Sequence, residues 1–263
     1  MSHLDGDHTN YIDSNVSDVS GVKNPWIFNN YAIGKVILKD QTNSYAANVK
    51  NNYLNLTKSL RAKGIPYGFQ ENFQLGDFNF KVFNQEDASQ NELTVYRTQI
   101  ASGKPFNIDE NLESLGLLAE KNGYRMYFGG DQILWDEADT AKKVGDVDVV
   151  VVPHHGNIDG VSQVGAQALK PEVSIVSNSY ANNNRYFNYQ SVHEAERKTV
   201  NISERTNQYY GQELGALIYW TGDTGTATVD FSNTSNGLSV SASQIKTTSQ
   251  VVHEGVNIKP YAE

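Results

Sequence analysis

The sequence predicts an α/β protein with helices layered on mixed sheet, an αββα kind of layering. Three observations predict it. Hairpin patterns come first, around Leu75-Gly76-Asp77 and Lys121-Asn122-Gly123. Strand–helix–strand units follow them. The most apolar run, Val147 to Pro153, is of strand length and is broken only by Asp148.

Taken in order, residues 13–31 are rich in Ser, Asn, Asp and Gly and read as loop, and 32–38 (AIGKVIL) reads as a short strand. Residues 44–63 place Ala47, Val49, Tyr53, Leu54, Leu56 and Leu60 at helical spacing. Gly64 stops that helix, and Lys58, Arg61 and Lys63 lie near its C-terminus. Residues 69–84 alternate apolar and polar on either side of Gly76, a hairpin signal. Residues 85–110 read as polar loop. Residues 114–128 read as two strands joined at Asn122-Gly123, the strongest short hairpin signal. A helix is predicted over 132–144, a buried strand over 147–152, a helix over 161–169, a strand over 172–177 and a helix over 190–200. Residues 214–220 and 226–231 read as a closing hairpin around Gly222-Asp223-Thr224-Gly225. The Ser/Thr-rich tail is read as an extension, strand-like or partly mobile. The domain division expected is 1–231 for the main domain and 232–263 for the extension.

The bulk numbers bound the function. A chain of 263 residues suits one large domain or two small ones. Its net charge of −9 gives no support to a broad basic face for nucleic acid, although a metal-centred site can still take phosphate. There is no cysteine, so disulfides and thiolate metal sites are excluded, and any metal must sit on His, Asp or Glu. No segment approaches the roughly 20 apolar residues of a membrane-spanning helix. Met1 is followed at once by Ser2, His3 and Leu4, which is not the pattern of a secretory leader.

Chemistry concentrates in three places. His3, Asp5, Asp7 and His8 put two imidazoles and two carboxylates within six positions. On an extended strand end His3, Asp5 and Asp7 would share a face, and a bend at Gly6 would bring His8 beside them. Divalent ions would relieve the repulsion between the carboxylates and use all four groups. A solvated polar loop or a tag remnant accounts for the same residues without a metal. Asp131 follows a strand through Gly129-Gly130, small residues that let backbone approach a site closely; an ordinary turn has the same composition. His154-His155-Gly156 ends the most apolar strand, where open α/β sheets hold their sites. The spacing from Asp131 to His154 fits one helix and one strand, so both would emerge on one sheet edge.

These residues resemble the signatures of metallo-β-lactamase-fold hydrolases, in particular the DNA-uptake competence-protein (ComEC) type. His3-x-Asp5-x-Asp7-His8 is similar to the first motif of that type, in which Asp stands for the second histidine of the usual motif. Tyr127-Phe128-Gly129-Gly130-Asp131 resembles its strand ending in Gly-Asp. Val151-Val152-Pro153-His154-His155-Gly156-Asn157 resembles its late motif. Asn111-Leu112-Glu113-Ser114-Leu115 resembles the segment that replaces the middle histidine of other members, and the hairpin at Gly76-Asp77-Phe78 fits the preceding strand pair. The resemblance covers about residues 1–231.

The resemblance implies an αββα sandwich of two mixed β-sheets flanked by helices. It implies metal-dependent hydrolysis with two divalent ions, zinc or manganese. The ligands carried over are His3, Asp5, Asp7, His8, Asp131 as the bridge, and His154. His155 and Asp7 take the catalytic roles, and the choice between His154 and His155 as ligand stays open. Asn111, Ser114 and Asn188 are the substrate-binding candidates. The pattern also departs from the family. The family's opening strands are missing ahead of His3, so the chain is expected to be N-terminally truncated. Thr9-Asn10 stands where a glycine pair is usual, and Asn188 stands for a downstream histidine.

The oxygen-rich ligand set favours a hard ion, and with it a phosphodiester substrate, so a nuclease or phosphodiesterase-like activity is expected. The alternatives are hydrolysis of a cell-wall phosphoester, an amide or a lactone, and a non-catalytic relative. Lys142, Lys143 and Arg185 could contact phosphate or form a solvated face. Tyr180, Tyr186, Phe187 and Tyr189 could stack on bases or pack. A secreted or cell-surface bacterial protein is favoured over a cytoplasmic one by the Asn- and Tyr-rich, Cys-free composition.

Overall fold

The computed structural model describes residues 2–4, 8, 27, 30–42, 47–85, 111, 114–156, 160–177, 206–221, 225–232, 237–243 and 256–258. The chain forms two compact units, one from Met1–Glu71 with Val82–Leu115, the other from Asn72–Lys81 with Gly116–Glu263. The expected helix at 190–200 and most of the expected loops at 13–31 and 85–110 lie outside the described residues.

The first unit holds strand β1 (Val36–Ile37), helix α1 (Ala47–Ala62) and strand β2 (Tyr67–Gly68). Helix α1 buries a stripe of Val49, Tyr53, Leu56 and Leu60 against Leu4 and Leu38, with Val36, Ile65 and Tyr67 at its margin. The stripe follows the helical period. Leu54 falls off it, beside Tyr53 in sequence but just over a quarter of a turn away on the cylinder, and is exposed. The strand expected at 32–38 is shorter than its apolar run. β1 pairs with β2 in parallel for two residues only. Val36 N–H donates to Pro66 O, and Pro66, having no N–H, cannot carry the ladder further back.

The second unit is an α/β layer structure around a mixed seven-stranded sheet, ordered β3 (Asn72–Leu75), β4 (Phe78–Phe83), β5 (Gly116–Lys121), β6 (Tyr124–Phe128), β7 (Val149–Val151), β8 (Val173–Val176) and β9 (Leu217–Trp220). The β3–β4 and β5–β6 hairpins are antiparallel, and β6 to β9 run parallel. Asn122 and Gly123 turn the second hairpin at φ 55° and 80°, the left-handed pair that a two-residue turn of matching twist needs. Helix α2 (Leu134–Val144) joins β6 to β7, and helix α3 (Gln163–Leu169) joins β7 to β8. A π-helical turn, Asn207–Glu213, precedes β9.

A three-stranded antiparallel sheet, β10 (Ala227–Asp230), β11 (Leu238–Ala242) and β12 (Val256–Ile258), packs on one face of the larger sheet. Tyr124, Met126, Val149, Val173, Ile175 and Tyr219 meet Phe231, Leu238 and Val240 there. Within the tail, the described residues include the strands β11 and β12. The closing hairpin is corrected. β9 pairs in parallel with β8, and β10 pairs with β11 in the other sheet. Burial explains the split: Ile218 and Tyr219 are both buried, as a parallel strand covered on both faces requires, whereas Ala227–Asp230 alternates half-buried and exposed, the pattern of a sheet with one wet face.

Candidate metal centre

In the second unit the loops after β6 and β7 place Asp131 and the histidine pair at the carboxyl ends of adjacent parallel strands, as the spacing predicts. Their backbones are tied together: Gly129 N–H donates to Val151 O (3.2 Å) and His154 N–H to Gly130 O (2.9 Å). The approach leaves no room for side chains. A Cβ on Gly129 would collide with the Pro153 ring, and one on Gly160 would stand 2.6 Å from Pro153 O. A glycine at position 129, and another at 160, are therefore packing requirements of the histidine turn.

Pro153–Gly156 forms a tight 3₁₀-type turn in which His154 (φ 47°, ψ 43°) and His155 (φ 53°, ψ 24°) are both left-handed. Non-glycine residues pay roughly 1–2 kcal/mol each for that conformation, and strain of this kind gathers at functional sites. The turn separates the two rings, whose centroids lie 6.5 Å apart. His155 Nε2 lies 3.6 Å from Asp131 Oδ2, with the aspartate side chain buried and the imidazole about a third exposed. His155 Nδ1 lies 2.7 Å from Ser177 O. A carbonyl only accepts, so Nδ1 carries a proton, and in the neutral ring Nε2 presents its lone pair toward the carboxylate. Two acceptors so placed favour a cation close by.

The distance is too long for a direct hydrogen bond and suits a metal between the two atoms. Ligand atoms about 2.1 Å from a tetrahedral zinc stand roughly 3.4 Å apart. Imidazole nitrogen with carboxylate oxygen is also a donor set that zinc and manganese accept. Of the two histidines between which the sequence left the choice open, His155 is the one facing Asp131.

In the first unit, His3 is buried and His8 half-buried, with ring centroids 4.2 Å apart and tilted by 49°. Ser2 Oγ lies 3.1 Å from Nδ1 of both. A hydroxyl can accept two hydrogen bonds, and doing so here would leave both Nε2 lone pairs for a ligand role. His3 is held from both sides: Leu115 N–H donates to Ser2 O (2.8 Å), and Leu4 sits in the α1 core while its carbonyl accepts from Asn52 Nδ2. Ser2–Leu4 belongs to no sheet ladder among the described residues, so the expected strand end at His3 is instead a segment pinned by these contacts.

Ser114 Oγ reaches to 3.4 Å from His3 Nδ1, which brings this substrate-binding candidate to the histidine pair. Asn84 Nδ2 donates to Ser114 O, and Asn111 O accepts from Ser114 N–H. Asp5, Asp7 and Asn188 lie outside the described residues, as do Arg185, Tyr180, Tyr186, Phe187 and Tyr189. Lys142 pairs with Asp139 on an exposed face of α2, the solvated-face alternative.

Sequence reasoning missed two features of the second unit. One is Glu137, buried in α2, whose carboxyl is pushed up to about 8 by burial. An acidic residue amid Asp136 and Asp139 gives no sequence signal of burial. The other is an apolar cavity of about 830 Å³ between the sheets, walled by Phe78, Phe80, Phe128, Val151 and Val229 and reaching Ser177, Thr221 and Thr226. Its walls come from strands far apart in sequence.

The chain matches no protein-family profile and no curated protein sequence. Among the described residues, no helix is long and apolar enough to cross a membrane.

Proposed function

We propose that this chain is a metal-dependent hydrolase resembling the metallo-β-lactamase superfamily, with two divalent ions, zinc or manganese, and a phosphodiester substrate. The observation that carries the reading is the Asp131–His155 pair at the carboxyl ends of β6 and β7, with the imidazole tautomer set by Ser177 O. The proposed ligands are His3, Asp5, Asp7, His8, Asp131 and His155, with His154 in the supporting place.

Bound divalent ions supply an acidified water and polarise the substrate oxygen. The chain's own residues do the rest. Ser177 O holds the His155 ring and keeps its Nδ1 protonated, so that Nε2 stays available toward Asp131. Ser2 orients His3 and His8 through Nδ1. Asp7 is the proposed acceptor for the proton released by the attacking water. The phosphodiester is favoured over the amide by the oxygen-rich ligand set. A secreted or cell-surface bacterial setting is part of the same proposal, on composition alone.

A second reading has an observation of its own. The apolar cavity runs to Ser177, whose carbonyl orients His155, so an ester, lactone or phosphoester carrying an apolar group would have a place for that group. Hydrolysis of bis(4-nitrophenyl) phosphate, single-stranded DNA and a long-chain acyl lactone, each with manganese or zinc, separates the two. Phosphodiester turnover that needs metal and is lost in Asp131→Ala supports the first reading. Turnover of the lactone alone supports the second. A folded, metal-loaded chain that turns over none of them is a non-catalytic relative.

A further inference from the structure

We propose that Glu137 is a positioning residue, whose hydrogen bond to Ser162 sets the Asp131 loop against the His154–His155 turn. The role rests on the reading of that pair as the functional locus, but its geometry is independent of any metal.

The two loops are each continued by a helix. α2 begins just after Asp131, and Ser162 is the N-cap of α3, downstream of the histidine turn. Ser162 Oγ accepts from Gly165 N–H at 2.8 Å and donates to Glu137 Oε2 in a short hydrogen bond. One carboxyl thus joins the helix behind Asp131 to the cap behind His155. The tie is transmitted at both ends. Val161 is fully buried, and Gly160 lies so close to the turn that a Cβ there would stand 2.5 Å from His154 Cβ. On the other side, Gln132, also fully buried, accepts from Tyr127 Oη at 2.6 Å, and its N–H donates to Gly129 O.

The cradle around the carboxyl is specific. A side chain on Gly165 would overlap the Glu137 carboxyl itself. Glu137 Oε1, Tyr210 Oη and Thr206 Oγ1 are buried with no protein partner among the described residues. Tyr127 and Tyr210 are held in their neutral forms, by burial first and then by the neighbouring Glu137. A buried carboxyl is a costly way to join two helices, and a well-packed apolar residue would serve packing alone at less cost. What it adds is directional bonding, from the Ser162 hydroxyl and from its backbone N–H, that fixes where two loops stand.

The test reads the histidine, not the stability. Nitrogen-15 spectra of the imidazoles are recorded on the full, metal-free chain, with His155 assigned through the signals lost in His155→Gln. Glu137→Ala and Ser162→Ala should each displace the His155 signals beyond their line width. Glu137→Gln, whose amide oxygen still accepts from Ser162, should return them to the wild-type position. Leu238→Ala, a core truncation between the sheets, should lower the melting temperature without moving them. Manganese affinity should fall roughly tenfold or more in Glu137→Ala and recover in Glu137→Gln, the range seen when an indirect partner of a ligand is removed. Unmoved His155 signals in Ser162→Ala, or no recovery in Glu137→Gln, would overturn the proposal, and Ser162→Ala carries the test if Glu137→Ala does not fold. A chain that binds no manganese while its His155 signals move as stated contradicts the metal reading and leaves the positioning role standing.

Discussion

Two buried aspartates stand at opposite ends of the same parallel strands, and their surroundings differ. Asp148, at the amino end of β7, accepts the Arg125 backbone N–H at 2.6 Å, and its main-chain carbonyl accepts from Glu172 and Val173 N–H at 3.1 Å each. The Arg125 guanidinium ties the same corner, donating to Val144 O and Glu120. Burial raises the Asp148 carboxyl to about 6. Asp131, at the carboxyl end of β6, faces an imidazole whose far nitrogen is held by a carbonyl. A carboxylate supplied with backbone donors is a structural tie. Asp131 is set instead beside a ring nitrogen at the edge where the metal centre is proposed.

The sharpest way to break this comparison is to neutralise each aspartate. Asp131→Asn is expected to reduce manganese or zinc affinity by more than the roughly 10–100-fold of an indirect partner. Asp148→Asn is expected to leave it unchanged. Isothermal titration of both variants decides, and equal effects at the two ends would erase the distinction.

Next in size is the pH dependence of stability. Glu137 rises from 4.5 to about 8 and Asp148 from 3.8 to about 6 on folding, both through burial first. Each folded form keeps its proton where the unfolded chain has lost it. Stability therefore falls as pH rises, between about 4 and 6 for Asp148 and between about 4.5 and 8 for Glu137, by a total on the order of several kcal/mol. Melting temperatures across this range should decline. Asp148→Asn should flatten the acid part and Glu137→Gln the part up to pH 8. A profile that rises toward pH 8 would contradict the burial of both carboxyls.

Smaller effects test the histidine turn. Gly129→Ala forces a methyl group into the Pro153 ring and is expected to cost about 1–3 kcal/mol by denaturant melts. His154→Gly removes one left-handed side-chain penalty and is expected to stabilise by up to about 1 kcal/mol, net of the entropy glycine adds to the unfolded chain. A loss of stability there would mean that the His154 side chain contributes more by packing than its backbone costs.

The sequence made the second unit legible where the signal is local. Asn122-Gly123 marked a turn that only left-handed residues make, the apolar run at Val147–Val152 marked a buried strand, and the spacing from Asp131 to His154 placed both on one sheet edge. It was illegible where pairing is non-local. Residues 214–231 carry the local pattern of a hairpin, yet β9 is claimed by the buried edge of β8, and no short-range feature records that. His3 was legible as a ligand type but not in its setting, because the contacts that pin Ser2–Leu4 come from Leu115 and Asn52. Which histidine faces Asp131 depends on two left-handed backbone angles that His-His does not announce.

Metal content per chain, measured by plasma mass spectrometry on protein purified without chelator, tests the central claim most directly, with Asp131→Ala and His3→Ala/His8→Ala alongside. The account predicts close to two manganese or zinc ions in the wild type and a loss in both variants. A folded wild-type chain with almost no metal would contradict it.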